Sequence, residues 1–253
     1  MPPLFEHDDI NRHHPGSRHL TQDTRGPLQR IGDTVRRTRG ENSDFVARLL
    51  DFLHEVGFAA APRYMGVDDH GRDIFTYVAG QTTNHPSQRT EACYSDMGRL
   101  LRRLHDLTAD TLLAGTAECV IHGDPGPGNT VLDEDGMPVA LIDWDLARPA
   151  ARIEELARGA WFWCLQTIGH VPLHDQLRRL RQFRDAYGAG EADELLRSII
   201  ALQQQCKDRA EVKLMSARTA DEWDLSHLRT IGWATIEREH VERNAEAILR
   251  ALL

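Results

Sequence analysis

The sequence predicts an α+β fold with its strands gathered early and its helices late. Three observations carry that expectation. Short β-type segments punctuated by turn residues fill the stretch from Gly26 to Val78. A second strand–turn–strand unit lies between Val131 and Ile142, and helical apolar spacing runs from Ile153 to Leu253.

Composition sets the bounds. A chain of 253 residues can form one sizeable domain or two small lobes around a cleft. A hydrophobic content of 41% with 27% charged residues is ordinary for a globular protein. The net charge of −9 speaks against a nucleic-acid binder, which would carry a basic face, and is compatible with a cationic small-molecule partner. Cys93, Cys119, Cys164 and Cys206 are scattered and form no CxxC pair, so they read as free thiols of a reducing compartment. No apolar run approaches the roughly 20 residues of a membrane span, and the N-terminus lacks a signal-peptide pattern. A cytoplasmic protein with no membrane partner is the expectation.

Each element follows from local pattern. Residues 1 to 22 are polar and irregular, with His7, His13, His14 and His19 at spacings that fit no common metal site; a loosely docked arm is predicted. Pro27 to Ile31 and Thr34 to Arg37 read as two strands joined by the two-residue turn Gly32-Asp33. A helix follows, capped by Ser43 or Asp44, with Phe45, Leu49, Leu50, Phe52, Leu53 and Val56 at helical spacing and Gly57 ending it. Pro62 to Val67 and Asp73 to Val78 are two further strands around the turn Asp68-Asp69-His70-Gly71. Residues 88 to 107 form a long helix with Met97, Leu100, Leu101 and Leu104 as its apolar stripe and Arg99, Arg102 and Arg103 on the wet side. His105, at its end, reads as a packing or capping residue. Beyond the central hairpin, helices are expected over Ile153–Trp163, Leu173–Tyr187, Glu191–Gln205 and Glu222–Leu253. Trp161, Phe162 and Trp163 are most simply core, with an aromatic substrate wall as the alternative.

The chemistry concentrates in residues 118 to 146. Val131-Leu132 and Val139-Ala140-Leu141-Ile142 flank the turn cluster Asp133-Glu134-Asp135-Gly136, which makes a β-hairpin. Folding it brings Asn129 and Asp143 side by side, with Asp124 nearby in the preceding loop. Carboxylate and amide oxygens converging in this way suit a hard cation such as Mg2+, which is held by one or two carboxylates plus substrate phosphates. Pro125 and Pro127 stiffen the loop, while Gly126 and Gly128 permit positive φ or close backbone approach.

His122-Gly123-Asp124, with Asn129 five residues after the aspartate, resembles the catalytic loop of kinases, and Ile142-Asp143 resembles their metal-binding segment. His-Gly-Asp and Ile-Asp-Trp-Asp are similar to the versions found in the aminoglycoside phosphotransferase and choline kinase-like family of small-molecule kinases. The resemblance covers the chain from about residue 26 onward, though only the central stretch is specific. It implies a bilobal protein-kinase-like fold: a small mixed β N-lobe over residues 1–80, and a larger, mostly helical C-lobe over residues 81–253 carrying the catalytic hairpin.

By that resemblance Asp124 orients the acceptor hydroxyl and accepts its proton, Asn129 and Asp143 hold Mg2+, and His122 braces the loop. ATP lies in the cleft. The Val-Ala-x-Lys register of kinases makes Arg37 the phosphate-binding cation, with Arg36 as runner-up, and backbone groups of Thr76, Tyr77 and Val78 meet the adenine edge. Two features depart from the pattern. The glycine-rich phosphate loop is reduced to Gly26 and Gly32. The middle of the helix, around Val46 and Ala47, lacks the acid that pairs with the strand cation; Glu41, Asp44 and Glu55 are the available substitutes. Acidic residues of the C-lobe would receive a cationic acceptor. Asp145 and Glu155 are the preferred candidates, beside Glu154 and the cluster Asp221, Glu222 and Asp224. The implied activity is transfer of the γ-phosphoryl group of ATP to a hydroxyl of an aminoglycoside or related antibiotic. The alternatives are a metabolite hydroxyl (an amino alcohol or sugar) or a silent nucleotide-binding protein.

Overall fold

A computed structural model describes residues 28–83, 85–216 and 225–253. The N-terminal arm with its histidines, Gly26, Pro27, and the acidic cluster of Asp221, Glu222 and Asp224 lie outside the described residues.

A small sheet lobe precedes a helical lobe. Strands β1 (Gln29–Ile31) and β2 (Thr34–Thr38) pair antiparallel with Ile31 opposite Thr34, so Gly32 and Asp33 form the expected turn. β3 (Tyr64–Val67) and β4 (Arg72–Thr76) complete a four-stranded antiparallel sheet of order β1-β2-β4-β3. Helix α1 (Ser43–Glu55) buries Val46, Leu49, Leu50 and Leu53. Its N-cap residue is Asn42, and neither Ser43 nor Asp44 caps it: the Ser43 hydroxyl accepts from the Gly40 N–H, and Asp44 pairs with Arg39.

Helix α2 (Cys93–Thr108) starts later than the predicted residue 88, because Pro86–Gln88 forms a separate 3-10 turn capped by His85. The central stretch folds as a three-residue strand β5 (Cys119–Ile121), the catalytic-type loop, and the hairpin β6 (Thr130–Leu132) and β7 (Pro138–Leu141). A further strand, β8 (Arg148–Ala150), pairs with β5 and returns the chain beneath the loop. Three residues are too few to show a period, and a proline such as Pro149 is uncommon inside a strand.

Helices then fill the second lobe. α3 (Arg152–Gly159) runs into a π-turn at Ala160–Cys164, and α4 (Leu173–Tyr187) ends at the left-handed Gly188. α5 (Ala192–Ser216) runs eleven residues past the predicted Gln205. The predicted last helix is two, α6 (Leu225–Arg243) and α7 (Ala245–Leu252), broken at Asn244. There the Asn244 side-chain amide donates to the His240 carbonyl at 2.8 Å, and the Asn244 backbone N–H is shared between the His240 and Val241 carbonyls at 3.3 and 3.2 Å.

One core crosses both lobes. Leu49, Leu50 and Leu53 of α1, Tyr94, Met97 and Leu101 of α2, and Trp161, Phe162, Phe183 and Ile199 belong to a single buried cluster. Trp161 stacks on Trp233 with ring centroids 4.6 Å apart, and the Trp163 indole donates to the Pro125 carbonyl at 2.8 Å. The aromatic triplet is therefore core that props the loop, and the alternative of a substrate wall does not hold: all three are at most 2% exposed. The four cysteines are buried free thiols.

Candidate active site

The loop between β5 and β6 is fixed from beneath. Gly123 has φ +86°, and a Cβ there would lie 2.3 Å from the Leu146 carbonyl oxygen, so only glycine fits between His122 and Asp124. Gly126, by contrast, has φ −70°; its service is close approach, since a Cβ would meet the Phe162 ring at 3.1 Å. Glu155 of α3, fully buried, gathers the loop backbone. Its Oε1 accepts from the Gly123 N–H at 2.7 Å, and its Oε2 from the His122 N–H at 3.0 Å and from His105 Nε2 at 2.8 Å. Burial would raise the Glu155 carboxyl, but these donors outweigh it and hold the pKa below the usual range. His105 is pinned at its other nitrogen by the Tyr187 hydroxyl at 2.8 Å, which makes it a packed core residue.

His122 closes the loop over the hairpin. Its Nε2 donates to the Ile142 carbonyl at 3.0 Å, and its Nδ1 accepts from the Asp124 N–H at 3.3 Å. Burial lowers its pKa, against the pull of Glu155 and Asp143, so the imidazole is a neutral brace.

Asp124 stands at the loop's tip, 5% exposed. One oxygen, Oδ2, accepts from Asn129 Nδ2 at 2.9 Å, and the same Nδ2 reaches the Asp124 carbonyl at 3.1 Å. The other oxygen, Oδ1, is buried and accepts no hydrogen bond among the described residues. Burial pushes the Asp124 carboxyl up to about 7; Arg158 opposes that shift, Asp143 adds to it, and the Asn129 hydrogen bond opposes it. An aspartate poised near neutrality with one open oxygen is suited to take a proton.

With its amide nitrogen committed to Asp124, Asn129 has its carbonyl oxygen on the opposite side. Backbone pairing of Ile142 N to Asn129 O at 2.9 Å brings the residue beside Asp143. Asp143 sits in the left-handed region at φ +63°, which costs of order 1–3 kcal/mol in a non-glycine residue and persists where surroundings impose it. Its side chain is 40% exposed. An amide oxygen and a half-exposed carboxylate fit an ion that keeps several waters and takes phosphates as its other ligands, which is the habit of Mg2+. Among the described residues, no group of three or more His, Cys, Asp or Glu converges as a metal cage.

Arg37 crosses from the sheet lobe to this site. Its Nη1 lies 2.7 Å from Asp143 Oδ1 and its Nη2 2.5 Å from Asp145 Oδ2. Arg36, on the other face of β2, turns to Thr34 and Asp68 instead. Within the expected hinge, the Thr76 N–H donates to the Arg63 carbonyl and the Tyr77 N–H to the Asp33 carbonyl.

Comparison with known proteins shows the family. Residues 108–198 match the model of a phosphotransferase enzyme family. The trifolitoxin immunity protein of Rhizobium leguminosarum bv. trifolii is 31% identical over 245 residues, covering 85% of this chain and 91% of that one. The chain belongs to the phosphotransferase enzyme family.

The fold likeness is broader. A choline/ethanolamine kinase family protein from Mesorhizobium loti superposes with a TM-score of 0.58 at 15% identity, over 90% of this chain and 92% of that one. The GDP complex of aminoglycoside 2'-phosphotransferase-IIIa superposes with a TM-score of 0.54 at 13% identity, over 89% and 92%. The phosphotransferase thus has the protein-kinase-like fold that its hairpin motif implied.

One expected acceptor residue, Glu155, is corrected. Glu155 faces the underside of the loop, fully buried, and both its oxygens are taken by His122, Gly123 and His105. Asp145, in the 3-10 turn Trp144–Leu146, is paired with Arg37 of β2. Glu154 is bound to Arg148 on the surface. Arg158 and Asn42 went unnoticed in the sequence of the phosphotransferase. Arg158 acts on Asp124 from α3, and Asn42 ties α1 to the Asp145 and Ala147 carbonyls at 2.9 Å each. No spacing rule connects residues so far apart in the chain.

Proposed function

We propose that the chain transfers the γ-phosphoryl group of ATP, with Mg2+, to a hydroxyl of a small antibiotic-type molecule. The single observation that carries this reading is Asp124: buried, held by Asn129, and raised to about 7 with one oxygen open. In that role Asp124 Oδ1 accepts the hydrogen bond of the acceptor hydroxyl and takes its proton as the oxygen attacks phosphorus. Asn129 keeps the carboxylate oriented through Oδ2. Arg37 supplies positive charge toward the phosphates from β2, and Val78 with the carbonyls of the hinge meets the base. Asn129 Oδ1 and Asp143 would hold Mg2+, which supplies charge neutralisation to the β- and γ-phosphates. In this reading the two lobes divide near residue 80, a placement supported by the end of β4 at Thr76 and the pairing of Gln81 with Leu132 of the hairpin.

The acceptor class rests on the relative. A trifolitoxin immunity protein at 31% identity supports a protective role, in which the hydroxyl belongs to a toxic compound. The aminoglycoside and choline kinase neighbours support the fold and leave the acceptor open among hydroxylated antibiotics, with an aminoglycoside first to test. The test is Mg2+-dependent ADP release across hydroxylated antibiotics, aminoglycosides and amino alcohols, with Asp124→Asn as control. Stimulation by one antibiotic, lost in the variant, is the expected result. Stimulation confined to amino alcohols would move the role to metabolism. Nucleotide binding without turnover on any compound would replace the enzyme by a silent binder.

A further inference from the structure

Two departures from the kinase pattern, the missing helix acid and the arginine in place of lysine, meet at one contact. Helix α1 carries Asp44 in its first turn, paired with Arg39, and its other acids, Asp51 and Glu55, are exposed to solvent. Among the described residues, the carboxylates on Arg37 are Asp143 and Asp145. We propose that Asp145 replaces the helix acid as the positioning residue for the nucleotide-binding cation, with Asn42 linking that contact back to α1. The proposal rests on the nucleotide phosphotransferase reading above and deepens it.

The geometry is specific. Arg37 is 11% exposed and Asp145 18%, so water screens their attraction less than that of a surface pair. The Asp145 backbone is itself held: Asn42 Nδ2 donates to the Asp145 carbonyl at 2.9 Å, and also to the Ala147 carbonyl at 2.9 Å. Helix α1 therefore reaches the cation through an amide, a peptide group and a carboxylate, in place of one glutamate. A guanidinium is what this arrangement requires. Its fork presents Nη1 to Asp143 and Nη2 to Asp145 at once, which an ammonium, a single point charge, cannot reproduce. When nucleotide enters, Nη2 keeps Asp145 while Nη1 is the arm that exchanges Asp143 for a phosphate oxygen.

The test measures affinity for MgATP by calorimetry, together with the KM for ATP and for the acceptor. It covers wild type, Asp145→Asn, Asn42→Ala, Arg37→Lys, and Arg37→Lys combined with Asp145→Asn. Circular dichroism melts verify folding. Asp145→Asn should weaken MgATP by roughly tenfold or more, as expected when one partner of a partly buried pair is removed, while leaving the acceptor KM unchanged. Asn42→Ala should shift the same constant in the same direction by less. Arg37→Lys should match Asp145→Asn, and the double variant should be no worse than the weaker single, because both remove one contact. Should Asp145→Asn fail to fold, Arg37→Lys and Asn42→Ala carry the test by themselves. MgATP affinity unchanged in Asp145→Asn with a raised acceptor KM would overturn the proposal and return Asp145 to the acceptor site. Additive losses in the double variant would also overturn it. Absence of nucleotide binding in the wild type would instead reject the phosphotransferase reading, before any substitution is compared.

Discussion

Two carboxylates of the active-site loop share burial and little else. Asp124 at the tip and Glu155 at the base are both nearly sealed from water, yet one is raised to about 7 and the other is held below its usual range. Burial raises both. The difference lies in donors: Glu155 collects two backbone N–H groups and His105, whereas Asp124 has a hydrogen bond from Asn129 on one oxygen and none on the other. A fully satisfied buried acid is a fastener, and a half-satisfied one keeps an oxygen for the proton that the proposed reaction would deliver. The base of the loop is thus built for stability, and in the proposed function its tip is the part that reacts.

The strongest way to break that contrast is Asp124→Asn. It keeps size and polarity but cannot take a proton, so turnover should fall by roughly 100- to 10,000-fold while MgATP affinity is nearly unchanged. Steady-state kinetics paired with calorimetry checks both halves. A loss confined to binding would make the tip a second fastener. Glu155→Gln tests the other side. The amide offers one acceptor oxygen where the loop needs two, so stability should fall by about 3 kcal/mol, read from urea midpoints, with lost activity following the lost fold.

How these roles could be read in advance depended on distance along the chain. Asp124, Asn129 and Asp143 are joined by one loop and one hairpin, so local spacing carried their convergence. The helix from Leu173 to Tyr187 was legible at both ends because Pro172 precedes it and the left-handed Gly188 stops it. Glu155 was misassigned because its partners lie 32, 33 and 50 residues away, and an acid on a helix looks the same whether it faces solvent or a buried peptide. Asp145 was noticed for its nearness to Asp143 in sequence, but its pairing with Arg37, 108 residues away, had no local signal. The break at Asn244 carries neither glycine nor proline, so periodicity ran straight through it.

The two acids should also leave opposite marks on the pH dependence of stability. Asp124 has a folded pKa of about 7 against an ordinary 3.8, so the folded state binds the extra proton and stability falls as pH rises through that window. Asp124→Asn removes the penalty: its melting temperature should exceed wild type by several degrees near pH 8 and by little near pH 4. Glu155 has the reverse sign. Its contribution is present above the ordinary 4.5 and disappears as pH falls through the lowered folded value, so the deficit of Glu155→Gln should shrink in acid. Parallel pH profiles for the two variants would erase the distinction between tip and base.

The smallest effect belongs to Glu154, the neighbour of Glu155 that faces outward. It pairs with Arg148 at 2.5 Å, but both side chains are about half exposed, with 49% for Arg148 and 47% for Glu154. Exposed pairs contribute about 0–1 kcal/mol because water screens them and two long side chains must be ordered to form them. Glu154→Gln should therefore leave thermal stability and turnover near wild type, in contrast with the same change one residue later. A marked rise in acceptor KM in that variant would bring Glu154 into the acceptor site and extend that site to the outer face of α3. An unchanged KM, set against the collapse of Glu155→Gln, would confine the work of this acidic pair to the residue that faces the loop.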